Sequence, residues 1–243
     1  MKPDRLYGTA FLVVSVGSAH RALQGGFWLL LVWPCLSFFL VSLAYFFGAV
    51  CVFGKRENGT RARVPGVLLL PYLLLTWIVW ELQTRIAREP PWHAVDDSLI
   101  VSRRLRPREL PQNVAALIDL TSELVDPALI RSLPGYRCIP ILDANALTPE
   151  RLAECVRGFP PPAEGRIIVH CANGHGRTGL CAAAWMICHG TAKTPAEAIE
   201  RLQSKRPGIH LRPCQQESLE AASRILASTI EPGPRPERRI GHS

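Results

Sequence analysis

The stretch from Ile167 to Trp185, IIVHCANGHGRTGLCAAAW, constrains the fold of this chain more than any other segment. It begins with a short apolar run that predicts a buried strand, and it continues through a loop with several glycines. A run of helix-forming residues then begins near Arg177. Cys171 lies where the predicted strand passes into the loop. A strand, a tight loop and a helix in this order predict an α/β unit.

The loop CANGHGRTG has the composition of an anion-binding site. Backbone N–H groups between a strand and a helix N-terminus can turn inward, and the helix dipole adds positive potential there. Glycines allow positive φ angles and a close approach to a ligand. A cysteine at the mouth of such a loop is stabilised as the nucleophilic thiolate. Arg177 follows Cys171 after five residues, and its planar guanidinium can hold two oxygens of a phosphoryl group.

The composition becomes that of a soluble α/β domain from about Ser98 onward. Four apolar runs, SLIV, VAALIDL, CIPIL and RIIVH, predict largely buried strands. Thr148 and Thr194, each followed by proline, predict helix N-termini, the second as part of a capping box with Glu197. Gly190 predicts a helix C-terminus. We therefore expect a central sheet flanked by helices over residues 98–228.

The segments outside this domain predict a membrane anchor and a tail. Residues 27–53 are almost entirely apolar and uncharged, and roughly 20 helical residues suffice to cross a bilayer. Residues 64–80 form a second, shorter apolar span. Residues 1–97 therefore predict a two-helix transmembrane hairpin, with the basic connecting loop on the face opposite the C-terminal domain. Residues 229–243 are rich in proline and charge and predict a disordered tail.

Two other interpretations of the N-terminal region remain open. The apolar spans could be buried core helices of a soluble domain, although the first is long and uniformly apolar for that role. The short apolar segment 9–16, followed by small residues, is compatible with a signal peptide.

Charge and cysteine content limit the classes of partner. The chain has 28 Lys and Arg residues against 20 Asp and Glu, which suits an anionic partner or the basic flanks of membrane segments. The positive-inside rule favours a cytoplasmic catalytic domain. Basic and aromatic residues do not interleave in the soluble half, which disfavours nucleic acid as a partner.

The eight cysteines form no C-x-x-C pair, so we expect neither a metal nor another cofactor. The sequence does not indicate an oligomeric state.

The stretch HCANGHGRTG resembles the H-C-x-x-G-x-x-R-[ST] signature of the cysteine-dependent tyrosine and dual-specificity phosphatases. The resemblance extends over about residues 98–226. RRLRPRELPQNVAALIDLTSEL is similar to the opening of the dual-specificity domain, and YRCIPILDANALTPERL is similar to the segment that carries its general acid. RPGIHLRPCQQESLE resembles the closing helical region, most closely in the subgroup of the mitochondrial phosphatidylglycerophosphate phosphatase. The predicted membrane hairpin lies outside the family pattern.

The resemblance implies a role for each of three catalytic residues. Cys171 is the expected nucleophile, which forms a phosphocysteine intermediate, and Arg177 is the expected clamp on the phosphoryl oxygens. Asp143 is the expected general acid, since it follows the CIPIL strand on a loop that can close over the site. Asp119 is the runner-up for this role, and Glu123 and Asp126 are weaker candidates.

Other residues of the segment have expected supporting roles. His170 would orient the loop, Thr178 would donate a hydrogen bond to the cysteine sulfur, and Cys138 could form a protective disulfide with Cys171. The residues expected to surround the bound phosphate are Ala172, Asn173, Gly174, His175, Gly176 and Thr178.

The sequence thus predicts a membrane-anchored phosphatase that hydrolyses phosphomonoesters on a phosphorylated protein or a phospholipid. The alternatives are a rhodanese-like sulfurtransferase and an inactive phosphate-binding adaptor. An adaptor would be expected to lack the nucleophile, the arginine or the acid, and a sulfurtransferase needs no acid at Asp143.

Overall fold

The fold is described by a computed structural model for residues 5–161 and 165–228. The predicted disordered tail over 229–243 lies outside the described residues. The helices are α1 Arg5–Ala22, α2 Val32–Phe47, α3 Arg63–Leu68, α4 Leu70–Ile86, α5 Ala128–Arg131, α6 Pro149–Arg157, α7 Gly176–Cys188, α8 Pro195–Lys205 and α9 Pro213–Ser228. The strands are β1 Trp92–Ala94, β2 Leu99–Arg103, β3 Val114–Thr121, β4 Tyr136–Ile141 and β5 Arg166–Cys171. Short 3₁₀ helices cover Gly26–Leu31, Val50–Phe53 and Pro107–Glu109.

The five strands form one sheet in the order β1-β2-β5-β3-β4. β2, β5, β3 and β4 are parallel, and β1 is an antiparallel edge strand. His170 in the central strand is paired with Ser102 on one side and Asp119 on the other. The carboxyl ends of the parallel strands therefore meet at Cys171, which is the edge where α/β folds place their ligands.

The α/β prediction is confirmed in its main elements. The four predicted strands correspond to β2, β3, β4 and β5, whereas β1 was not predicted. Thr148 and Thr194 cap α6 and α8 by accepting from the N–H groups of Arg151 and Glu197. The Glu197 carboxylate accepts from the N–H of Lys193 rather than Thr194, so the predicted capping box is only half formed.

Helices cover both faces of the sheet because the central strands are apolar on both sides. One face of the sheet packs against α6, α7, α8 and α9, with Trp185 completely buried in this core. A smaller cluster that includes Ile100, Leu117 and Ile168 covers the other face. α7 begins directly after the CANGH loop and is buried along nearly all of its length, which fixes the loop between the sheet and a rigid helix.

The N-terminal helices α1 and α2 form an antiparallel hairpin. The buried residues of α1 are small and recur at seven-residue spacing: Gly8, Ser15 and Ala22. Ser42 donates a hydrogen bond to the carbonyl of Gly8 at 2.8 Å, and Ser15 donates one to the carbonyl of Cys35 at 2.9 Å. Small residues and interhelical hydroxyl bonds are typical of helix pairs in membranes.

The predicted spans 27–53 and 64–80 differ from the observed helices. Among the described residues, only the helical stretch Gly26–Phe47 is long and apolar enough to cross a membrane, with a mean hydropathy of 2.2. It ends at Gly48, which has a left-handed φ of 65°. The second segment is divided at Leu69 between α3 and α4. A transmembrane hairpin of these two segments is therefore not confirmed.

The loop between the two apolar segments was expected on the opposite face of a membrane from the domain, and this expectation is wrong. Cys138 on β4 donates its N–H to the carbonyl of Glu57 at 2.9 Å. Gly59 packs so closely against Tyr136 that a Cβ would lie 2.2 Å from the phenolic oxygen. The loop over residues 54–62, which we call the docking loop, is thus bound to the C-terminal domain and must lie on the same side.

Candidate active site

The phosphate loop, residues 171–178, follows β5 and turns directly into α7. Gly174 has a φ of 75°, and a Cβ on it would lie 2.5 Å from the backbone of Ser102. Its N–H donates to the sulfur of Cys171 at 3.2 Å. A glycine is therefore required both for the backbone conformation and for the close approach to β2. The geometry directs a main-chain donor at the sulfur.

The carbonyl groups at the start of this loop are all bound on its outer side. Arg206, a buried residue after α8, donates to the carbonyls of Gly174 and Asn173, both at 3.0 Å. The Trp80 indole of α4 donates to the carbonyl of Ala172 at 3.0 Å. Because these carbonyls face outward, the N–H groups of the loop can point to the side on which an anion would bind. Sequence analysis did not single out Arg206 or Trp80.

Arg177 is buried and is paired with the carboxylates of Glu123 and Asp143. Glu123 binds it through two hydrogen bonds, of 2.9 and 2.7 Å, and the carbonyl of Ile141 accepts a third at 2.9 Å. Burial alone would raise the pKa of Glu123, but the guanidinium lowers it below its usual range. The Nε–H of Arg177 has no hydrogen-bond partner in the described part of the chain. This donor is available to a phosphoryl oxygen.

Asp143 lies beside Arg177. One of its carboxylate oxygens is 3.1 Å from a terminal nitrogen of Arg177, and the side chain is 50% exposed. Asp143, Cys171 and Arg177 line one cavity of about 220 Å³, together with His210 and Gln215. The three residues predicted to be catalytic are therefore brought together around a single concave site.

The expected phosphate-binding residues divide into two groups. Ala172, Asn173, His175 and Gly176 line the cavity, whereas Gly174 contacts the cysteine through its N–H. Thr178 is fully buried, and its hydroxyl has no hydrogen-bond partner within the described residues. The predicted hydrogen bond from Thr178 to the cysteine sulfur is therefore not present in this structure.

His170 is buried behind the loop, next to Asp126. Its Nε2 lies 3.0 Å from an oxygen of that carboxylate, and its Nδ1 lies 3.3 Å from the carbonyl of Cys171. Burial alone would lower the pKa of His170, but Asp126 and Asp119 together raise it to about 9. The imidazolium form is thus favoured at neutral pH, and it contributes positive charge beneath the phosphate loop.

Asp119, the runner-up for the general acid, does not reach the cavity. It is fully buried, and its carboxylate is 2.6 Å from the ammonium of Lys55 in the docking loop. Burial alone would raise the pKa of Asp119, but Lys55 lowers it well below its usual range. Asp119, Asp126 and His170 have potential metal-ligand atoms within 4.8 Å of one another. Lys55 already supplies a cation to this cluster.

Lys55 also binds the chain that follows β3. Its ammonium donates to the carbonyl of Thr121 at 2.7 Å and to that of Leu124 at 2.5 Å. Arg61, at the other end of the docking loop, donates to the carbonyls of Ser122 and Glu123 at 3.1 and 2.9 Å. The docking loop thus holds the segment that carries Glu123, the partner of Arg177.

Cys138 shows no feature of a reactive thiol. It is a buried residue of β4, and burial raises the pKa of its thiol well above the usual range. A group of this kind remains protonated at neutral pH and is a poor partner for thiol–disulfide exchange.

Besides Arg206 and Trp80, three buried residues of the site were missed or given the wrong role by sequence analysis. Glu123 and Asp126 were considered only as weak general acids, although they position Arg177 and His170. Gln215 of α9 donates to the carbonyl of Asn145 at 3.0 Å and lies against Gly176. The dense acidic stretch DLTSELVD is the one signal that points to the first two, because buried acids need cationic partners.

The N-terminal helices border the cavity on two sides. On one side, Asn173 of the phosphate loop donates to the side chain of Gln83 in α4 at 3.2 Å. On the other side, the guanidinium of Arg212 lies over the ring of Tyr7 in α1, 5.4 Å from its centroid. The N-terminal helices are therefore part of the surroundings of the site.

Comparison with known proteins identifies the class to which this fold and site belong. Residues 108–225 match the family model described as PTP-SAK, Swiss Army Knife protein, DSP-PTPase phosphatase domain. The C-terminal domain therefore belongs to the cysteine-dependent dual-specificity phosphatase superfamily, and the protein is a phosphoric monoester hydrolase of that type. The N-terminal helices α1 to α4 lie outside the matched residues.

Several solved structures are similar to part of this chain. PTPMT1 in complex with PI(5)P is 20% identical, covers 58% of this chain and 99% of its own, and has a TM-score of 0.50. Tk-PTP in its active form is 25% identical, with 56% and 97% coverage and a TM-score of 0.47. Human DUSP28 is 18% identical, with 57% and 97% coverage and a TM-score of 0.47. Comparison with curated proteins gave no match.

Proposed function

We propose that this chain is a membrane-associated phosphatase that acts through a phosphocysteine intermediate at Cys171. The observation that carries the proposal is the shared cavity of Cys171, Arg177 and Asp143, with a main-chain N–H directed at the sulfur. The sulfurtransferase and adaptor alternatives are less well supported, because an acid lies beside the arginine and the matched family is a phosphatase.

The reaction would proceed in two steps. The Cys171 thiolate attacks phosphorus, so an S–P bond forms while the ester P–O bond breaks, and Asp143 protonates the leaving oxygen. Water then attacks the phosphocysteine, Asp143 accepts its proton, and inorganic phosphate leaves as the thiolate is restored. Arg177 and the loop N–H groups hold the phosphoryl oxygens in both steps.

The anchor proposal differs from the original prediction in the segments that insert. We propose that the stretch Gly26–Phe47 crosses the bilayer and that α1, which does not meet the same hydropathy criterion, enters with it as the second arm of a hairpin, with residues 23–25 at its tip. Exposed apolar side chains at the tip, such as Phe27 and Leu30, favour this placement.

The same arrangement supports a cytoplasmic catalytic domain. The docking loop is bound to the domain, so the basic residues over 55–63 and over 85–88, at the end of α4 and just after it, lie on one side of the proposed hairpin: Lys55, Arg56, Arg61, Arg63, Arg85 and Arg88. An excess of basic residues next to membrane segments marks the cytoplasmic side. Substrates in reach there are phosphorylated proteins and the phosphorylated head groups of lipids.

The test is phosphate release by the full chain in detergent micelles. Wild type is compared with Cys171→Ser and Asp143→Ala on an aryl phosphate and on an alkyl phosphate. We expect Cys171→Ser to lose activity on both by about 10³-fold or more. Asp143→Ala should lose about 10²- to 10⁴-fold on the alkyl ester and much less on the aryl ester, whose leaving group needs no proton.

Asp97→Ala, an exposed loop aspartate, is the matched control and should leave both rates unchanged. Full activity of Cys171→Ser would refute the phosphocysteine mechanism. An equal loss on both esters in Asp143→Ala would remove Asp143 from the role of acid.

A further inference from the structure

A second cavity lies beside the phosphate-binding cavity, between α4 and the phosphate loop. Its volume is about 460 Å³, within the range of roughly 300–1,000 Å³ that is common for small-molecule sites. One wall consists of aliphatic side chains on successive turns of α4, with Val79, Leu82 and Ile86 as its main members. Asn173 and His175 of the phosphate loop lie on the opposite wall. We call this cavity the α4 groove.

The polar residues of the α4 groove are bound to one another. Glu89 accepts from Arg206 at 2.7 Å and pairs with His175 at 2.8 Å. Arg103 is paired with Glu109 at 2.9 Å. These charges are therefore engaged within the protein, and the surface left in the groove is mainly apolar. An apolar ligand gains free energy there, whereas a polar chain would lose its hydration without replacement bonds.

The α4 groove adjoins the phosphate-binding cavity. Asn173 and His175 line both. A molecule whose phosphate group lies over Cys171 therefore has the groove immediately beside it. A substrate that fills both cavities needs a phosphomonoester at one end and an apolar chain at the other.

The position of α4 favours the same kind of molecule. Its outward side chains include Leu74, Leu75 and Ile78, all exposed. This apolar face is next to the α1–α2 hairpin, because Trp33 at the start of α2 donates to the carbonyl of Val67 just before α4. Tyr72 of α4 also donates its N–H to the hydroxyl of Ser37 in α2 at 3.3 Å, so α4 runs beside α2 and its exposed apolar face has the same surroundings as the proposed hairpin. A lipid chain could then pass from the bilayer into the groove.

We propose that the α4 groove binds an aliphatic chain of a lipid phosphomonoester whose phosphate group is hydrolysed at Cys171. The inference rests on the proposed phosphatase function and specifies its substrate class. The sequence alone gave equal support to a phosphoprotein and a phospholipid. The groove favours the lipid, because a phosphopeptide would place a polar backbone against an aliphatic wall.

The experiment compares chain lengths on the full-length protein in nonionic detergent micelles. The substrates are dioleoyl and dihexanoyl phosphatidic acid, a water-soluble aryl phosphate and a phosphotyrosine peptide. We expect kcat/KM for the dioleoyl lipid to exceed that for the dihexanoyl lipid by at least about 10-fold, since each additional buried CH₂ contributes to binding.

A matched pair of variants assigns that preference to the groove. Leu82 lines the groove and is 54% exposed, whereas Leu74 is on the same helix, outside the groove, and 52% exposed. Leu82→Gln should reduce the ratio of dioleoyl to dihexanoyl turnover by about 10-fold. Leu74→Gln should leave the ratio at its wild-type value, even where it weakens binding to micelles.

Each other outcome is decisive. Hydrolysis of the aryl phosphate with equal rates on the two lipids would refute the groove proposal and leave the phosphatase function intact. An equal reduction of the dioleoyl-to-dihexanoyl ratio in the two variants would show that the preference arises from micelle binding. Faster turnover of the phosphopeptide than of either lipid would show that the substrate is a phosphoprotein and not a lipid. Failure to hydrolyse any of the four substrates would contradict the phosphatase function itself.

Discussion

At the scale of single residues, the position of Arg177, the proposed phosphate-binding arginine, depends on partners far away in the chain. Arg177 is positioned by Glu123, 54 residues before it, and Arg206 fixes the phosphate loop from 32 residues after Gly174. Positioning a reacting group within a small distance of its productive geometry contributes a large part of enzymatic rate enhancement. The buried ion pairs of this site therefore bear on rate as well as on stability.

His170 makes the stability of the protein dependent on pH. The raised pKa of about 9, against 6.5 in an unfolded chain, means that the folded state retains the proton more strongly. The stabilisation of the folded state by protonated His170 is fully present below pH 6.5 and is lost as the pH rises through 9. We expect the free energy of unfolding to fall by up to about 3 kcal/mol over this interval, measured by denaturant titration in micelles.

His170→Gln should abolish most of this decline. The control is His20→Gln, an exposed histidine of α1, which should keep the wild-type profile. If the free energies of unfolding of His170→Gln and wild type fall in parallel between pH 6.5 and 9, the proton responsible for the decline is bound by another group.

At the scale of elements, the docking loop connects the N-terminal helices to the C-terminal domain. Lys55 is completely buried and paired with Asp119, so Lys55→Met would leave a carboxylate buried without its counter-ion. We expect a loss of about 3–5 kcal/mol in the free energy of unfolding. Arg56→Met, one residue further on and exposed, should change it by less than about 0.5 kcal/mol. Urea titration of both variants beside wild type measures the difference.

The loss in Lys55→Met should be accompanied by a lower kcat, since the segment that carries Glu123 is released at the same time. A Lys55→Met protein as stable as Arg56→Met would show that the ion pair contributes nothing net to folding. A fragment that starts at Ser98 lacks the docking loop entirely, and we expect it to be less stable than the full chain.

The sequence predicted the elements whose signal is local. Four strands followed from β-branched apolar runs, and the phosphate loop followed from one contiguous stretch around Cys171. α4 was assigned to the membrane because it is apolar, but its Trp80 and Gln83 face the domain, and only the tertiary contacts reveal this. The partners of Arg177 and of Asp119 could not be assigned, because a long-range ion pair leaves no periodicity in the sequence.

At the scale of the whole molecule, the side of the membrane on which the docking loop lies distinguishes the two possible anchors. An α1–α2 hairpin places residue 56 on the same side as the catalytic domain, whereas spans over 27–53 and 64–80 place it opposite. We expect Arg56→Cys, in a chain with the exposed Cys51 replaced by Ser, to react with an impermeant maleimide from the side that carries the C-terminus.

Gln24→Cys, near the proposed tip, is the companion site in this experiment. It should be unreactive from the side of the catalytic domain in sealed vesicles and become reactive when the vesicles are opened. Labelling of residue 56 only from the face opposite the C-terminus would restore the original two-span arrangement.

The burial of Lys55 also bears on how such a protein could arise by recombination. A gene fusion that exchanged the anchor for another membrane segment would remove a lysine from the interior of the catalytic domain and leave an acid there without its counter-charge. Relatives with different anchors must therefore either retain a lysine-bearing loop after the last inserted helix or carry a neutral residue in place of Asp119. Covariation between these two positions would record that inheritance.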